Sequence, residues 1–539
     1  MRIERGTVWH TYTMQSPSYK DPEKMASSLM KTGAFLSILT PGNMFYYLKN
    51  EKPKKIKLQL KLENNNYAIS LEGFQPVTEE GVCDLTRHSL MTTINIKLSQ
   101  SKLLYQNNDF HANSLICNLK PMIIKNSDDE IVLIPSLRLF ENGFSHVTFI
   151  DGNYYNEELS QFISKRVNLP LTLINSITTS LDYVKLSYSI DYSKFNIFIR
   201  FFLKLKKRNE YKNLHQLSES LSLDGYSVSG LYVDYADALK IEHNLSDLAR
   251  YMVAITYISS KRKTIKEFLK GRDITKFFGG WQGKPNIFVF KHKNQKTKSL
   301  DNHRENKKLI SSLLARSHQF YNNRKSKKIE YRDYRAFDDF NYFSEQTASL
   351  TLLSKEATGG GSFSETYTEN NLIFDNQIKS DLRGLISFFY ESKIEEIKNE
   401  TSHQGLTKIQ EDIIYFEEWL RLSSKIYGEI QDYALDIFKS LDINQAKNNV
   451  NTLLKARIQA IKLEDARVSE RSNRFLTIAF GLIASTSLSP IIAKPVFETL
   501  GITKLSEWSV FNGFEDAIYF LTTVFFVSSS ILILNKIRK

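Results

Sequence analysis

The chain has 539 residues, 42% of them hydrophobic and 12% aromatic, with a formal charge of +13. That composition excludes global disorder, and the length allows about three domains. Two cysteines, Cys83 and Cys117, make neither a disulfide framework nor a CxxC zinc pair, so both read as buried reduced thiols in a cytosolic body.

The first 54 residues carry few periodic signals. Pro17, Pro22 and Pro41 break any long helix, and Glu23–Leu39 has room for one short helix. The start, MRIERGTVWHTYTMQ, has no apolar h-region, so no secretory signal is expected. From Lys55, Ile56, Leu58, Leu60 and Leu62 alternate with polar residues, and after Asn64-Asn65-Asn66 so do Tyr67, Ile69 and Leu71. Period-2 alternation on both sides of a turn predicts a hairpin. Further strands are expected at Thr92–Leu98, Ser114–Leu119, Ile131–Ile134 and His146–Ile150. Residues 1–155 therefore read as a β-rich domain.

Residues 156–340 read as a basic α/β domain. The run Phe195–Phe202 is a buried strand or helix, Glu210–Leu221 is helical, and Gly230–Asp234 is a short strand. Ser246–Leu269 holds one or two helices, with Ser246 as N-cap. Phe277–Pro285 is a glycine-rich loop leading into the strand Asn286–Phe290. That loop either brings backbone N–H groups and Lys284 to a phosphate or is an ordinary tight turn. Between Lys261 and Arg335 there are 22 Lys and Arg against six Asp and Glu, with aromatics interleaved. Such a stretch suits a phosphate-bearing ligand, an anionic lipid surface, or a solvated face with no ligand. The candidate ligand contacts are Lys261, Arg262, Lys263, Arg272, Trp281 and Lys284; Trp281 and Trp419 also read simply as core residues.

Residues 341–374, with Thr358-Gly359-Gly360-Gly361-Ser362 at their centre, read as a linker. Residues 375–443 then form a helical hairpin, turning at Ser402-His403-Gln404-Gly405, and 444–474 a stalk helix. Along the stalk, Leu454, Ile458, Ile461, Asp465, Val468, Ser472 and Phe475 step by 4 and 3, a heptad seam. Phe475–Ala493 and Ala517–Leu534 carry no charge, and as helices each would span roughly 27–28 Å, near the thickness of a bilayer core. They predict a transmembrane hairpin within 475–539, with spans at 475–493 and 517–534. No Gly or Pro interrupts Asn444–Phe480, so stalk and first span are expected to be one rod of about 70 Å. The seam continues through Ala479, Leu482, Thr486 and Ser489. Its polar members suit a water-facing pore, or the edge of a helix packed on its own domain. Asp465, Ser472, Phe475, Leu482, Thr486 and Ser489 are the candidate pore-lining residues, with Phe475 and Leu482 as constrictions. Basic residues before the first span and after the second, at Lys536, Arg538 and Lys539, place both termini in the cytoplasm. The expected fold class is thus α+β: β-rich and α/β cytoplasmic domains, a helical hairpin, a long stalk and two C-terminal transmembrane helices in an inner membrane.

This layout, with the junction Ala466–Ile478 (ARVSERSNRFLTI), resembles the CorA-type divalent-cation channel superfamily. The resemblance covers residues 375–539 in layout. It implies a homopentamer whose first spans line the pore and whose second spans form an outer ring. Where that family carries Gly-Met-Asn as its selectivity filter, this chain reads Ser487-Leu488-Ser489-Pro490. The enlarged body and diverged pore are similar to CorA-like effectors of antiviral defence, including those of type III CRISPR loci, which answer a nucleotide second messenger. The resemblance therefore implies a nucleotide ligand and leaves magnesium as the cation of the alternative, a divalent-cation transporter. A further alternative is a membrane-anchored module that binds nucleic acid or a protein. No enzyme is expected, since the ten histidines make no HExxH or HD pair and there is no GxSxG or Walker motif. Asp109-Phe110-His111 reads as a metal or proton-relay pair or as a surface turn.

Overall fold

A computed structural model describes residues 1–16, 21–47, 53–62, 69–72, 84–103, 114–126, 129–141, 143–180, 216–217, 231–235, 244–260, 281–323, 329–358, 369–423, 443–500 and 517–525, with short pieces between them. The fold is α+β around one large sheet. Two compact units are present: Met1–Asn399 with Thr407–Asn451, and Glu400–Leu406 with Thr452–Lys539.

In the first unit the N-terminal strand Arg2–Gln15 is the hub of the sheet. On one edge it pairs antiparallel with Trp281–His292, which runs parallel to Ser349–Leu353, and that strand pairs with Phe340–Ser344. On its other edge it pairs with Phe144–Asp151 and, beyond a bulge at Gly6, with Tyr155–Glu158. A Cβ at Gly6 would meet Ile3 Cγ2 at 2.9 Å and the Phe288 carbonyl at 3.0 Å, so only glycine fits this irregularity. Phe144–Asp151 pairs with Glu130–Phe140, and there the sheet forks. Met122–Lys125 takes one half of that strand's far edge and Ser114–Leu119 the other. Pro121, which has no N–H to donate, marks the break between those two strands. One branch continues through Ser176–Ser180 and Leu231–Tyr235, the other through Phe35–Leu39, Asn43–Tyr47 and Pro53–Lys57.

The hub strand alternates strictly from Trp9 to Met14, and both its faces are buried. Tyr12 and Met14 point into an apolar core shared with Val147, Phe149, Leu137 and Leu139. The helices Pro22–Met30 and Leu245–Ser260 cover that face, and Lys307–Leu314 covers a neighbouring core around Val8, Ile287 and Leu350. Trp9, Thr11 and Thr13 lie on the opposite face, under the helix Glu369–Asn399.

Several expectations are corrected. Thr92–Leu98 is not a strand but part of the helix Asp84–Leu103, which packs beside Glu369–Asn399. Its alternating texture loses to tertiary packing: Ser89 and Thr93 bond Ser37 and Asn118 while Leu90, Ile94 and Ile96 are buried. Trp281–Pro285 is not loop; it already pairs in register with His10–Met14. The helix expected over Glu210–Leu221 gives way at Gln216–Leu217 to a short strand, because that pair bonds to the edge of Leu231–Tyr235. Asn244, rather than Ser246, caps the Leu245–Ser260 helix, its side chain accepting the Asp247 N–H at 2.9 Å. The hairpin expected after Lys55 is present as Gln59–Leu62 against Ile69–Glu72. One sheet draws strands from 1–155, 156–340 and 341–374 alike. Cys117 is buried, its thiol pushed up by burial; Cys83, Phe195–Phe202, Asp109-Phe110-His111 and the Thr358–Ser362 glycines lie wholly or mostly outside the described residues.

Helices Glu369–Asn399 and His403–Ser423 follow each other, and Phe389 stacks on Phe416 at 3.7 Å. The helix Ile443–Thr499 runs unbroken through the expected stalk and first span. Residues 517–525 are helical, and the rest of the expected second span is described only at 528–529. Among the described residues no helix is long and apolar enough to cross a membrane; both expected spans extend into residues or side chains outside the description.

Candidate functional site

The helix Glu369–Asn399 meets the sheet through a buried polar seam closed by aromatics at each end. At one end Trp9 makes edge contacts with Phe288 and Phe374, and at the other Phe144 meets Phe388 and Phe389. Between them the helix presents Gln377, Asp381 and Gly384, a stripe at i, i+4, i+7. The strands answer with every second residue: Thr11 and Thr13, Thr148 and His146, Arg138, Asn286 and Lys284, Ser349 and Thr351.

The centre of the seam is an ion pair. Arg138 Nη1 donates to Asp381 Oδ2, with both side chains shut off from solvent. Arg138 Nη2 donates to Thr148 Oγ1 at 3.0 Å, and Asp381 Oδ1 accepts from Gln377 Nε2 at 2.8 Å. Gln377 also donates to Thr11 Oγ1 at 2.6 Å and accepts from Asn286 Nδ2 at 3.0 Å. Ser349 Oγ continues the chain to Asn286 Oδ1 at 2.7 Å, and Asn376 Nδ2 donates to Thr351 Oγ1 at 3.1 Å. Buried polar groups are tolerable only when bonded in this way. A Cβ on Gly384 would lie 2.6 Å from Thr13 Oγ1, so glycine lets the helix come down onto the hub strand.

Charge in the seam is skewed by burial. His146, bonded through Nδ1 to Thr13 Oγ1 at 2.9 Å, is held well below the usual imidazole range by burial and then by the Arg138 charge. Lys284 donates from Nζ to the Glu345 carbonyl, and Arg383 donates to the Ser344 carbonyl at 3.0 Å. Burial, then the Arg383 charge, pushes the Lys284 amine well below its ordinary value, against a smaller opposing effect of Glu345. The seam fixes where and in what register the helix sits on the sheet. Among the described residues no group of three or more His, Cys, Asp or Glu is placed to hold a metal ion.

Lys284 belongs to the seam, Trp281 starts the strand that carries it, and Lys261, Arg262, Lys263 and Arg272 lie outside the described residues. The candidate pore residues all lie on one helix. Leu454 and Ile461 of the heptad seam are buried, but every residue from 462 to 478 is exposed, including Asp465, Ser472 and Phe475, the last at 71%. Asp465 Oδ2 lies 3.8 Å from His403 Nε2, and Arg457 Nε donates to the Glu400 carbonyl at 3.0 Å. The side chains of Leu482, Thr486 and Ser489 lie outside the description. What sequence reasoning missed is the polar seam: TYT in the hub strand and NQIKSDLRG in the helix look like a strand edge and a solvated face. The one available sign was Gly384 in register with Gln377 and Asp381.

No protein family, curated protein or solved structure matches the chain.

Proposed function

We propose that the chain is a homo-oligomeric membrane channel or channel-like effector of the CorA-like two-span kind, gated by its cytoplasmic body. The observation that carries this reading is the solvent-bare helix from 462 to 478, with Val468, Phe475, Leu476 and Ile478 uncovered. A single helix of that length is marginal in water, and its apolar residues call for cover. Copies of the stalk along the seam of Asp465, Val468 and Ser472, and lipid from Phe475 onward, would supply that cover. Residues 475–493 and 517–534 would be the spans, with both termini cytoplasmic and five stalks around one axis.

The trigger in this reading is an anionic nucleotide drawn to the basic stretch 261–335. Helix Glu369–Asn399 leads in sequence through the hairpin to the stalk. A ligand that favours one seating of that helix on the sheet over another would bias the stalk, and only such a differential interaction can gate it. A magnesium transporter is a weaker reading because the Gly-Met-Asn filter is absent.

Removing the proposed constrictions tests the pore. Phe475→Ala with Leu482→Ala in the full chain, reconstituted in sealed vesicles, is expected to release an entrapped monovalent cation without any nucleotide, at least tenfold faster than the parent chain, because a hydrophobic gate closes by dewetting. Vesicles that stay sealed with the doubly substituted protein inserted would favour the second reading, a tethered binding module.

A further inference from the structure

Resting on the membrane reading above, we propose that Arg467, Arg471 and Arg474 form a docking stripe for the phosphate headgroups of anionic phospholipids. Spacings of four and three put the guanidinium groups on one face of the helix Ile443–Thr499. All three residues are exposed. The stripe stops where the charged sequence stops: Arg474 is the last charge before Lys494, and Phe475, Leu476, Ile478 and Phe480 beyond it are exposed apolar residues. Arg474 adjoins the first apolar residue and Arg471 lies one turn before it, which puts both guanidinium groups at headgroup depth when Phe475 enters the hydrocarbon; Arg467, a turn further out, reaches toward the headgroups along its flexible stem.

The phase of the helix gives an independent reason. At 3.6 residues per turn, the three arginines point roughly 130° away from the mean direction of Leu454, Ile461, Asp465 and Ser472. A seam turned toward a common axis therefore leaves the arginines on the outer surface, toward lipid and not toward the pore. Glu470 pairs with Arg474 at 2.5 Å, and Glu464 bounds the stripe a turn further from the apolar segment. The Glu470 pair is exposed on both sides, so it is worth little and exchanges readily for a phosphate. Guanidinium groups grip phosphate oxygens bidentately, which a lone charge does not.

Native mass spectrometry of the detergent-solubilised full chain, titrated with phosphatidylglycerol and with phosphatidylcholine, tests the stripe. The parent chain is expected to prefer phosphatidylglycerol, and the variant R467Q/R471Q/R474Q to lose that preference by on the order of 100-fold, about fivefold per arginine. The variant R467K/R471K/R474K, with charge kept and the fork lost, is expected to fall between them. Equal preference for phosphatidylglycerol in the parent chain and the glutamine variant, at unchanged helicity, overturns the proposal. Carbonate extraction of cell membranes separates this failure from failure of the membrane reading: a parent chain released by carbonate sinks that reading and the stripe with it. A parent chain that stays embedded without a lipid preference sinks the stripe alone.

Discussion

Asp381→Leu is expected to weaken the seating of helix Glu369–Asn399 by about 3–5 kcal/mol, because it leaves Arg138 charged and buried without its carboxylate. The loss is local to the first unit, so a global midpoint is a poor readout in a chain with two units. Hydrogen exchange of backbone amides between Leu372 and Tyr390 reads the opening directly, and a loss of that size raises the exchange rate between about 100-fold and several thousand-fold. The companion substitution decides the cause. With Arg138→Met added, two well-packed apolar side chains replace the pair, and most of the protection is expected to return. If the double variant stays as open as Asp381→Leu, the pair matters through its further bonds to Thr148 and Gln377 and not through charge.

Lys284→Met is expected to remove a pH dependence. Burial holds the Lys284 amine well below 10.5 in the folded chain, so between that lower value and 10.5 the unfolded chain binds a proton that the folded chain does not. Stability from this group is therefore complete above 10.5, and it falls as pH drops through the window toward the folded value. One proton gives a slope of at most about 1.4 kcal/mol per pH unit. Lys284→Met also strips a donor from the Glu345 carbonyl, at a cost of about 1–3 kcal/mol that is the same at every pH. The difference in slope between the two proteins from about pH 7 to 9.5, read from amide protection of Lys284–Phe290 corrected for intrinsic exchange, isolates the lysine. Parallel curves would mean that the amine keeps its proton in the fold.

How much of this was legible in the sequence depends on which faces of an element are buried. Ser114–Leu119 and the strands around Ile131 and Val147 were readable because short apolar runs end in turn residues. The hub strand was not, because Thr11 and Thr13 look solvent-facing and yet lie buried under the helix Glu369–Asn399, and His10 is buried on the other face. The loop around Lys284 read as a phosphate contact or an ordinary tight turn, and the fold makes Lys284 a strand residue whose Nζ donates to a carbonyl. The continuous helix through the expected stalk and first span was legible because nothing in Asn444–Phe480 can break a helix. That it runs on past Ala493, through Pro495 to Thr499, was not, since proline removes an N–H and crowds the turn before it. Buried polar seams escape periodicity analysis in general, because only the partner surface tells a bonded threonine from a wet one.

Particle symmetry tests the central claim most directly. Single-particle electron microscopy of the full chain in lipid nanodiscs is expected to show five copies related by one axis. The helices Ile443–Thr499 would pack around that axis along Asp465, Val468 and Ser472, with the 517–534 helices outside them. A monomer or two-fold dimer with residues 475–493 packed only against 517–534 of the same chain would contradict the account and leave a tether in place of a pore.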